Sequence, residues 1–239
     1  MRSRVHAVLV LFLAALLTRC APPESASEPD ATPREAAQAL TPGGGLRFMT
    51  YNIKHGELSS LEAIAGVINA QAPDLVALQE VDVLTTRSGK VDQAARLGLL
   101  TGMQAVFVPS LTSYDSGQYG LALLSRYPIR SSQRIPLRSA AEQRVLALYT
   151  VELDAQHLLP VGVTHFGTTD AAERLNQAAD VKAALAGKPW ALLGGDFNAT
   201  PSESSISSLM QQFTDAWKRG GSGAAIPAPR AFPLGASTT

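Results

Sequence analysis

The segment WALLGGDFNATP, Trp190 to Pro201, is the most informative stretch of this 239-residue chain. Its apolar start, Trp190 to Leu193, predicts a buried strand that ends abruptly at two glycines, Asp196, Asn198 and a proline. Glycines there let the backbone approach a ligand, Asp196 offers a carboxylate to a hard cation, and Asn198 offers an amide donor and a carbonyl acceptor. The segment alone fits two interpretations equally: a phosphate and metal site, or a strand followed by an ordinary Asx turn.

Three further polar residues end apolar runs in the same way, and together they favour a site. Asn52 closes the predicted strand Leu46 to Ile53, Glu80 follows Leu75 to Gln79, and His165 follows Leu158 to Thr164. Alone, the asparagine is more often a turn residue and the histidine a packing residue. A carboxylate at the mouth of an apolar strand, however, is costly unless it is solvated, paired or metal-bound. Histidine also suits phosphate contact or proton transfer.

Arg144 precedes the predicted strand Val145 to Leu153 and is the weakest member of the set. Its guanidinium could contact a phosphate, and the alternative is a solvated surface charge. The sequence does not choose between these two interpretations.

The first twenty residues, Met1 to Cys20, have the layout of an export signal, with two arginines followed by the apolar run Ala7 to Leu17. That run is too short for a membrane-spanning helix. We expect an exported protein, either periplasmic, secreted or membrane-anchored as a lipoprotein. Cys20 stands where a bacterial lipoprotein signal places its lipidated residue, but Arg19 replaces the small residue that such signals require. The alternative is a cleaved signal with an incidental thiol.

Composition limits what the rest of the chain can be. Ala21 to Gly45 is rich in Pro, Ala, Ser, Glu and Gly, which predicts a flexible linker, and residues 46–239 are long enough for one domain. The single cysteine excludes an intrachain disulfide. The 20 basic residues balance the 20 acidic ones, which disfavours a DNA-binding module without chemistry. Nothing in the sequence implies a protein partner.

Helices are predicted near both ends of the domain, and consecutive strands in its middle. This order predicts an α+β or layered sandwich arrangement. The helices are expected to begin near Leu61, Val91, Asp170 and Ser202, and the remaining strands to cover Met103 to Val108 and Gly120 to Ser125.

Six segments follow one another in a recognisable order: MTYNI (Met49 to Ile53), PDLVALQEVD (Pro73 to Asp82), YGLALLSRYP (Tyr119 to Pro128), VTHF (Val163 to Phe166), ERLNQ (Glu173 to Gln177) and GGDFNA (Gly194 to Ala199). They resemble the endonuclease/exonuclease/phosphatase family, the metal-dependent superfamily that includes deoxyribonuclease-I-like enzymes, inositol phosphatases and neutral sphingomyelinases. The resemblance extends from about Leu46 to Trp217. It implies a four-layered α/β/β/α sandwich of two packed mixed sheets with the active site at one end.

The resemblance also implies roles for the strand-end residues. Glu80 matches the ligand of a catalytic divalent cation, Mg²⁺ or Mn²⁺, and Asn52 matches an asparagine that helps to hold metal and phosphate. His165 matches the histidine that contacts the scissile phosphate, while Asp196 and Asn198 match the pair that orients the attacking water and the phosphate or leaving group. The implied substrate is a phosphate ester: nucleic acid, phospholipid or a small phosphodiester.

The sequence departs from the family pattern after Trp217. Family members continue into an Ile-Asp strand and a Ser-Asp-His motif whose histidine is catalytic, whereas Lys218 to Thr239 contains no histidine and no acidic residue. We therefore expect a sandwich that is incomplete at its C-terminal end. Two functional hypotheses follow: an exported metal-dependent hydrolase of phosphodiester or phosphate-ester bonds, and a catalytically impaired relative that only binds metal or phosphate.

Overall fold

The strand residues Leu75 to Leu78 alternate between two apolar layers, and this alternation sets the architecture. Leu75 and Ala77 belong to one buried cluster, while Val76 and Leu78 belong to another. Successive side chains of a strand point to opposite faces of its sheet, so both faces of this sheet are covered. A strand buried on both faces belongs in the interior of a layered fold.

The computed structural model describes residues 7–10, 45–188 and 190–216, and of residues 7–10 only the backbone. A short 3-10 turn, Lys54–Gly56, follows the second strand. The strands and helices are, in chain order, β1 (Ala7–Val10), β2 (Phe48–Asn52), α1 (Leu61–Gln71), β3 (Leu75–Val83), α2 (Gln93–Thr101), β4 (Gln104–Tyr114), β5 (Gly117–Ser125), β6 (Ile129–Pro136), β7 (Val145–Asp154), β8 (His157–His165), α3 (Ala171–Ala184), β9 (Leu192–Asp196), α4 (Ser204–Leu209) and β10 (Phe213–Asp215).

Two mixed sheets pack face to face. The strand orders are β10-β1-β9-β8-β7-β6 in one sheet and β2-β3-β5-β4 in the other. The cluster between the sheets contains Phe48, Leu123, Tyr149 and Val163. Helices α1 and α2 cover the outer face of the four-stranded sheet, and α3 and α4 cover that of the six-stranded sheet. The predicted four-layered α/β/β/α sandwich of two mixed sheets is therefore confirmed, while residues 217–239 lie outside the described part.

Several predicted boundaries were wrong for identifiable reasons. Trp190 is 65% exposed and precedes β9 instead of beginning it, because the buried run starts at Ala191. Strand β3 continues to Val83, so Glu80 lies inside a strand and not at its end. Strand β6 was not predicted, because its exposed residues, which include Arg130 and Arg134, give no apolar alternation.

Strand β1 comes from the segment predicted as an export signal. It lies between β9 and β10 and runs parallel to both, with Val8 opposite Leu192 and Ala7 opposite Phe213. The other residues of the predicted signal, Cys20 among them, and the predicted linker before Gly45 lie outside the described residues. Export and lipidation therefore stay predictions. No helix in the described ranges is long and apolar enough to cross a membrane.

The two glycines of β9 face protein, which corrects the prediction that they admit a ligand. A Cβ on Gly194 would lie 2.7 Å from the ring tip of Phe48 in the opposite sheet. A Cβ on Gly195 would collide with the backbone carbonyl of Thr164 on β8. The glycines therefore allow β9 to pack closely against both neighbours.

We expect Gly195→Ala to lower the free energy of unfolding by about 1–3 kcal/mol, the usual cost of overpacking where backbone cannot move away. Urea unfolding followed by circular dichroism measures this. Gly66→Ala is the matched control, because nothing lies within 4 Å of a Cβ at Gly66 on α1. That variant should be neutral or gain up to about 1 kcal/mol from helix propensity. Equal effects of the two substitutions would contradict the packing argument.

Candidate functional site

The side chain of Asn52 joins the two sheets at one end of the sandwich. It is the last residue of β2, and its Nδ2 donates to Glu80 Oε1 at 2.8 Å and to Asp196 Oδ2 at 3.1 Å. Its Oδ1 accepts from the backbone N–H of Lys54, so the residue also forms the turn that its identity predicts. One neutral amide thus holds two carboxylates that come from different sheets.

A β-bulge aims Glu80 at this point. The pairing of β3 with β5 shifts register between Leu78 and Val81, and Glu80 adopts a left-handed backbone with φ +57°. Glutamate rarely adopts such a conformation, which is typical of backbone strain at functional positions. The bulge places the carboxylate beside Asn52 while Val81 returns to the core.

Parallel pairing of β8 and β9 sets His165 beside Asp196, since these two residues are opposite each other in the ladder. Asp196 Oδ1 accepts from the backbone N–H of Asn198 at 3.0 Å, and Asn198 Nδ2 donates to the carbonyl of Phe166 at 2.9 Å. Asn198 has a left-handed backbone with φ +45°. The Asx turn is therefore part of the site, because the side chain of Asn198 fixes the backbone of Phe166, the residue that follows His165.

Arg144 is buried, so its interpretation as a solvated surface charge was wrong. It is 7% exposed, and its Nη1 lies 3.1 Å from His165 Nδ1 and 2.9 Å from Glu142 Oε1. A guanidinium has no acceptor, so His165 Nδ1 must accept and Nε2 must carry the ring proton. Burial lowers the pKa of His165 to about 4, and the charge of Arg144 contributes in the same direction.

A small pocket opens beside this pair. Its polar lining comes from Ser110, Tyr119, Arg144 and His165. Burial raises the pKa of Tyr119, and the negative charge of Glu80 raises it further, so the phenol stays protonated and can donate. The pocket therefore presents a guanidinium, a neutral imidazole and a phenol next to the carboxylates of Glu80 and Asp196.

Three residues that were not predicted, Asp82, Arg87 and Gln93, hold Tyr119 and the bulge in place. Asp82 is fully buried and accepts two hydrogen bonds from Arg87, whose guanidinium stacks over the rings of Tyr114 and Tyr119. Gln93 is also buried, and its Oε1 accepts from the backbone N–H of Asp82. The available signal was an aspartate, Asp82, within an apolar segment, with an arginine five residues later, since a carboxylate in a buried strand requires a partner.

The donor set at Glu80 fits a magnesium-type site. Within the described residues, no three His, Cys, Asp or Glu side chains are grouped closely enough to hold a metal ion. Mg²⁺ usually takes one or two carboxylates and completes its shell with water and substrate phosphate. Glu80 supplies one carboxylate of such a partial shell, and its side chain is 22% exposed to admit an ion. Asn52 directs its amide nitrogen to Glu80 and its amide oxygen to the backbone N–H of Lys54.

Comparison with known proteins agrees with this geometry. The model of the Endonuclease/Exonuclease/phosphatase family matches residues 49–236. The chain belongs to this family. Family members are hydrolases that act on phosphate esters such as nucleic acids, and they generally depend on a divalent metal ion. A search of curated protein sequences finds no significant match.

Solved structures of the family share the fold. A family protein from Beutenbergia cavernae is 22% identical to this chain, with a TM-score of 0.60. The match covers 72% of this chain and 55% of the Beutenbergia protein. This chain thus spans about half of that relative's length. The human Nocturnin catalytic domain, solved with a bound sulfate anion, is 27% identical with TM-score 0.54 and coverages of 68% and 67%. A mannosyl-6-phosphatase from Bacteroides thetaiotaomicron is 16% identical with TM-score 0.57 and coverages of 70% and 70%.

The bridging role of Asn52 predicts that Asn52→Asp is strongly destabilising without metal. The change removes two hydrogen bonds to carboxylates, each worth about 1.5–3 kcal/mol, and adds a third negative charge. We expect a loss of about 3 kcal/mol in urea unfolding. Asn176→Asp is the control, since Asn176 is an exposed residue of α3 beside Arg138, and it should change stability by less than about 0.5 kcal/mol. Similar losses in both variants would contradict the bridge.

The neutral state of His165 predicts a pH effect on stability. Between about pH 6.5 and pH 4 the unfolded chain binds a proton that folded His165 does not, so stability should fall as pH decreases through this window. Above pH 6.5 the contribution is constant. In unfolding experiments across pH, His165→Gln should flatten this slope, whereas His157→Gln, at an exposed position, should retain it. An unchanged slope in His165→Gln would show that folding does not lower the pKa of His165.

Proposed function

We propose that the protein is a metal-dependent hydrolase of phosphodiester or phosphate-ester bonds. The observation that carries the proposal is the junction of Asn52, Glu80 and Asp196 opposite the buried pair of Arg144 and His165. Acidic groups that can hold a cation and basic groups that can hold an anion meet at one end of the sandwich. A phosphate ester bound with a divalent cation satisfies both sides.

Glu80 would be the principal ligand of Mg²⁺ or Mn²⁺, with Asn52 as a supporting donor. When bound, the cation would supply Lewis-acid polarisation of a phosphoryl oxygen and offset the charge that develops there. Asn52 has the further role of orienting Glu80 and Asp196, because its amide nitrogen donates one hydrogen bond to each carboxylate. Hydrogen bonds that fix both carboxylates would reduce the cost of assembling the site.

Arg144 and His165 would bind the phosphate itself. The guanidinium offers charged donors, and His165 offers Nε2–H as a neutral donor whose protonation does not change near pH 7. Asp196 and Asn198 would orient the attacking water and the phosphate or leaving group. Asp196 suits this role because Asn52 and the backbone of Asn198 fix the positions of its two oxygens.

The substrate class is proposed only as phosphate ester: nucleic acid, phospholipid or a small phosphodiester. Export is likewise a proposal, which rests on the signal-like segment Met1 to Cys20, and so is lipidation at Cys20. Removal of that segment would also remove β1 from the sheet. The intact mass of the protein recovered from cell fractions would show whether the segment is cleaved and whether a lipid is attached.

Hydrolysis of bis(p-nitrophenyl) phosphate with Mn²⁺ tests the proposed activity. Glu80→Gln and Asp196→Asn should each reduce the rate by roughly 10²- to 10⁴-fold, the range for groups that take part in the chemical step. Glu62→Gln, the same change as Glu80→Gln at an exposed position of α1, should leave it intact. Isothermal titration of Mg²⁺ or Mn²⁺ then separates binding from chemistry, and equal affinity of wild type and Glu80→Gln would refute the ligand assignment.

A protein that binds the cation and phosphate but does not turn over would be the catalytically impaired relative. A protein that binds neither would refute the site altogether. Both outcomes are measured on the same sample, with circular dichroism showing that each variant is folded.

A further inference from the structure

The side chain of His55 contains a buried ring nitrogen without a hydrogen-bond partner. His55 Nδ1 is buried and makes no hydrogen bond. The atom facing it is Glu80 Oε2 at 3.8 Å, which is beyond hydrogen-bonding distance. Buried polar atoms are nearly always paired, so an unpaired one that faces a carboxylate requires an explanation.

The backbone around His55 is held in an unfavourable conformation. Lys54 and His55 have φ values of +45° and +43°, in the left-handed region that residues other than glycine avoid. Buried Gln93 stabilises this turn, because its Nε2 donates to the carbonyl of His55 at 2.7 Å. The Oε1 of Gln93 accepts a hydrogen bond from the backbone N–H of Asp82, which follows Glu80 closely on β3. The turn and the bulge are therefore tied together, and His55 and Glu80 face each other from two strained positions.

We propose that His55 Nδ1 is a ligand of the divalent cation at Glu80, an inference that rests on the proposed function. Two metal–ligand bonds of about 2.1 Å each span up to about 4.2 Å, so one ion can reach both atoms across the 3.8 Å gap. The ligand set then contains an imidazole nitrogen in addition to oxygens. Imidazole favours first-row transition metals over Mg²⁺, so His55 raises the preference of this site for Mn²⁺ or Zn²⁺.

The surroundings of the other ring nitrogen agree with this role. His55 Nε2 lies 4.0 Å from Glu57 Oε2, and Glu57 forms an ion pair with Lys54 at 2.8 Å. Histidines that bind metal usually direct their second nitrogen to a carboxylate, which fixes the tautomer. Glu57 is an exposed carboxylate within a small movement of that position.

The competing explanation is a protonated His55 that forms an ion pair with Glu80, and it predicts the opposite effect on metal binding. A cationic imidazolium would compete with a metal ion for Glu80, so its removal would leave metal affinity unchanged or higher. Removal of a ligand lowers affinity, by at least about tenfold given the losses seen even for outer-shell partners. The sign of the change therefore decides between the two explanations.

The first experiment measures Mn²⁺, Zn²⁺ and Mg²⁺ affinity by isothermal titration on the full chain. We expect His55→Gln to lower Mn²⁺ and Zn²⁺ affinity at least about tenfold and Mg²⁺ affinity much less. His157→Gln, at an exposed site on a hairpin, should match wild type. Unchanged or tighter Mn²⁺ binding by folded His55→Gln overturns the proposal and leaves the proposed function intact. Failure of the wild type to bind any of the three ions overturns both.

The second experiment needs no folded His55 variant. Pulsed electron paramagnetic resonance of the Mn²⁺-loaded wild type should show coupling to a directly bound nitrogen, and ¹⁵N-histidine labelling should change that coupling. His165→Gln should retain the signal, because the Nδ1 of His165 is engaged by Arg144. Absence of histidine coupling, or its loss in His165→Gln, overturns the assignment of His55.

Discussion

The site depends on the two hydrogen bonds that the side-chain amide of Asn52 donates, one to Glu80 and one to Asp196. Glu80 and Asp196 come from different sheets, and two carboxylates in close proximity repel each other unless donors lie between them. The two protons of Asn52 Nδ2 supply those donors without adding charge, at 2.8 and 3.1 Å. A lysine there would neutralise one carboxylate and exclude a cation. The neutral amide holds the carboxylates together while leaving their negative charge available.

Burial, together with the charges of neighbouring side chains, sets the protonation of the groups in the pocket. Arg144, which is paired with Glu142, and His165 are both buried, so a second positive charge on His165 is unfavourable and its pKa falls. Tyr119 lines the same pocket, and its proton is retained because burial disfavours the phenolate and the negative charge of Glu80 disfavours it further. Near neutral pH the pocket therefore has one fixed cation and two neutral donors, an arrangement suited to anion recognition.

The sequence predicted the layers and the motif residues but not the features that depend on pairing between distant strands. Apolar runs such as Leu75 to Gln79 are local signals, so the core strands could be placed from them. The bulge at Glu80 depends on the register of β3 against β5, about forty residues away along the chain, and no local pattern encodes it. The burial of Arg144 is likewise fixed by its contacts with His165 and Glu142. The left-handed backbone of His55 also has no sequence signature.

The motifs that carry the family resemblance do two different kinds of work. The segments on β2, β3, β8 and β9 supply the site residues, whereas ERLNQ on α3 supports the site from behind. Gln177 Oε1 accepts from the backbone N–H of Gly167, and Arg174 donates to the carbonyl of Gly167 while forming a two-point ion pair with Glu203. These bonds, together with that of Asn198 to Phe166, fix the chain immediately after His165 on both sides. Gln177 and Arg174, which have no proposed contact with a substrate, thus help to fix the backbone that follows the imidazole, because a buried loop keeps its shape only when its backbone groups are paired.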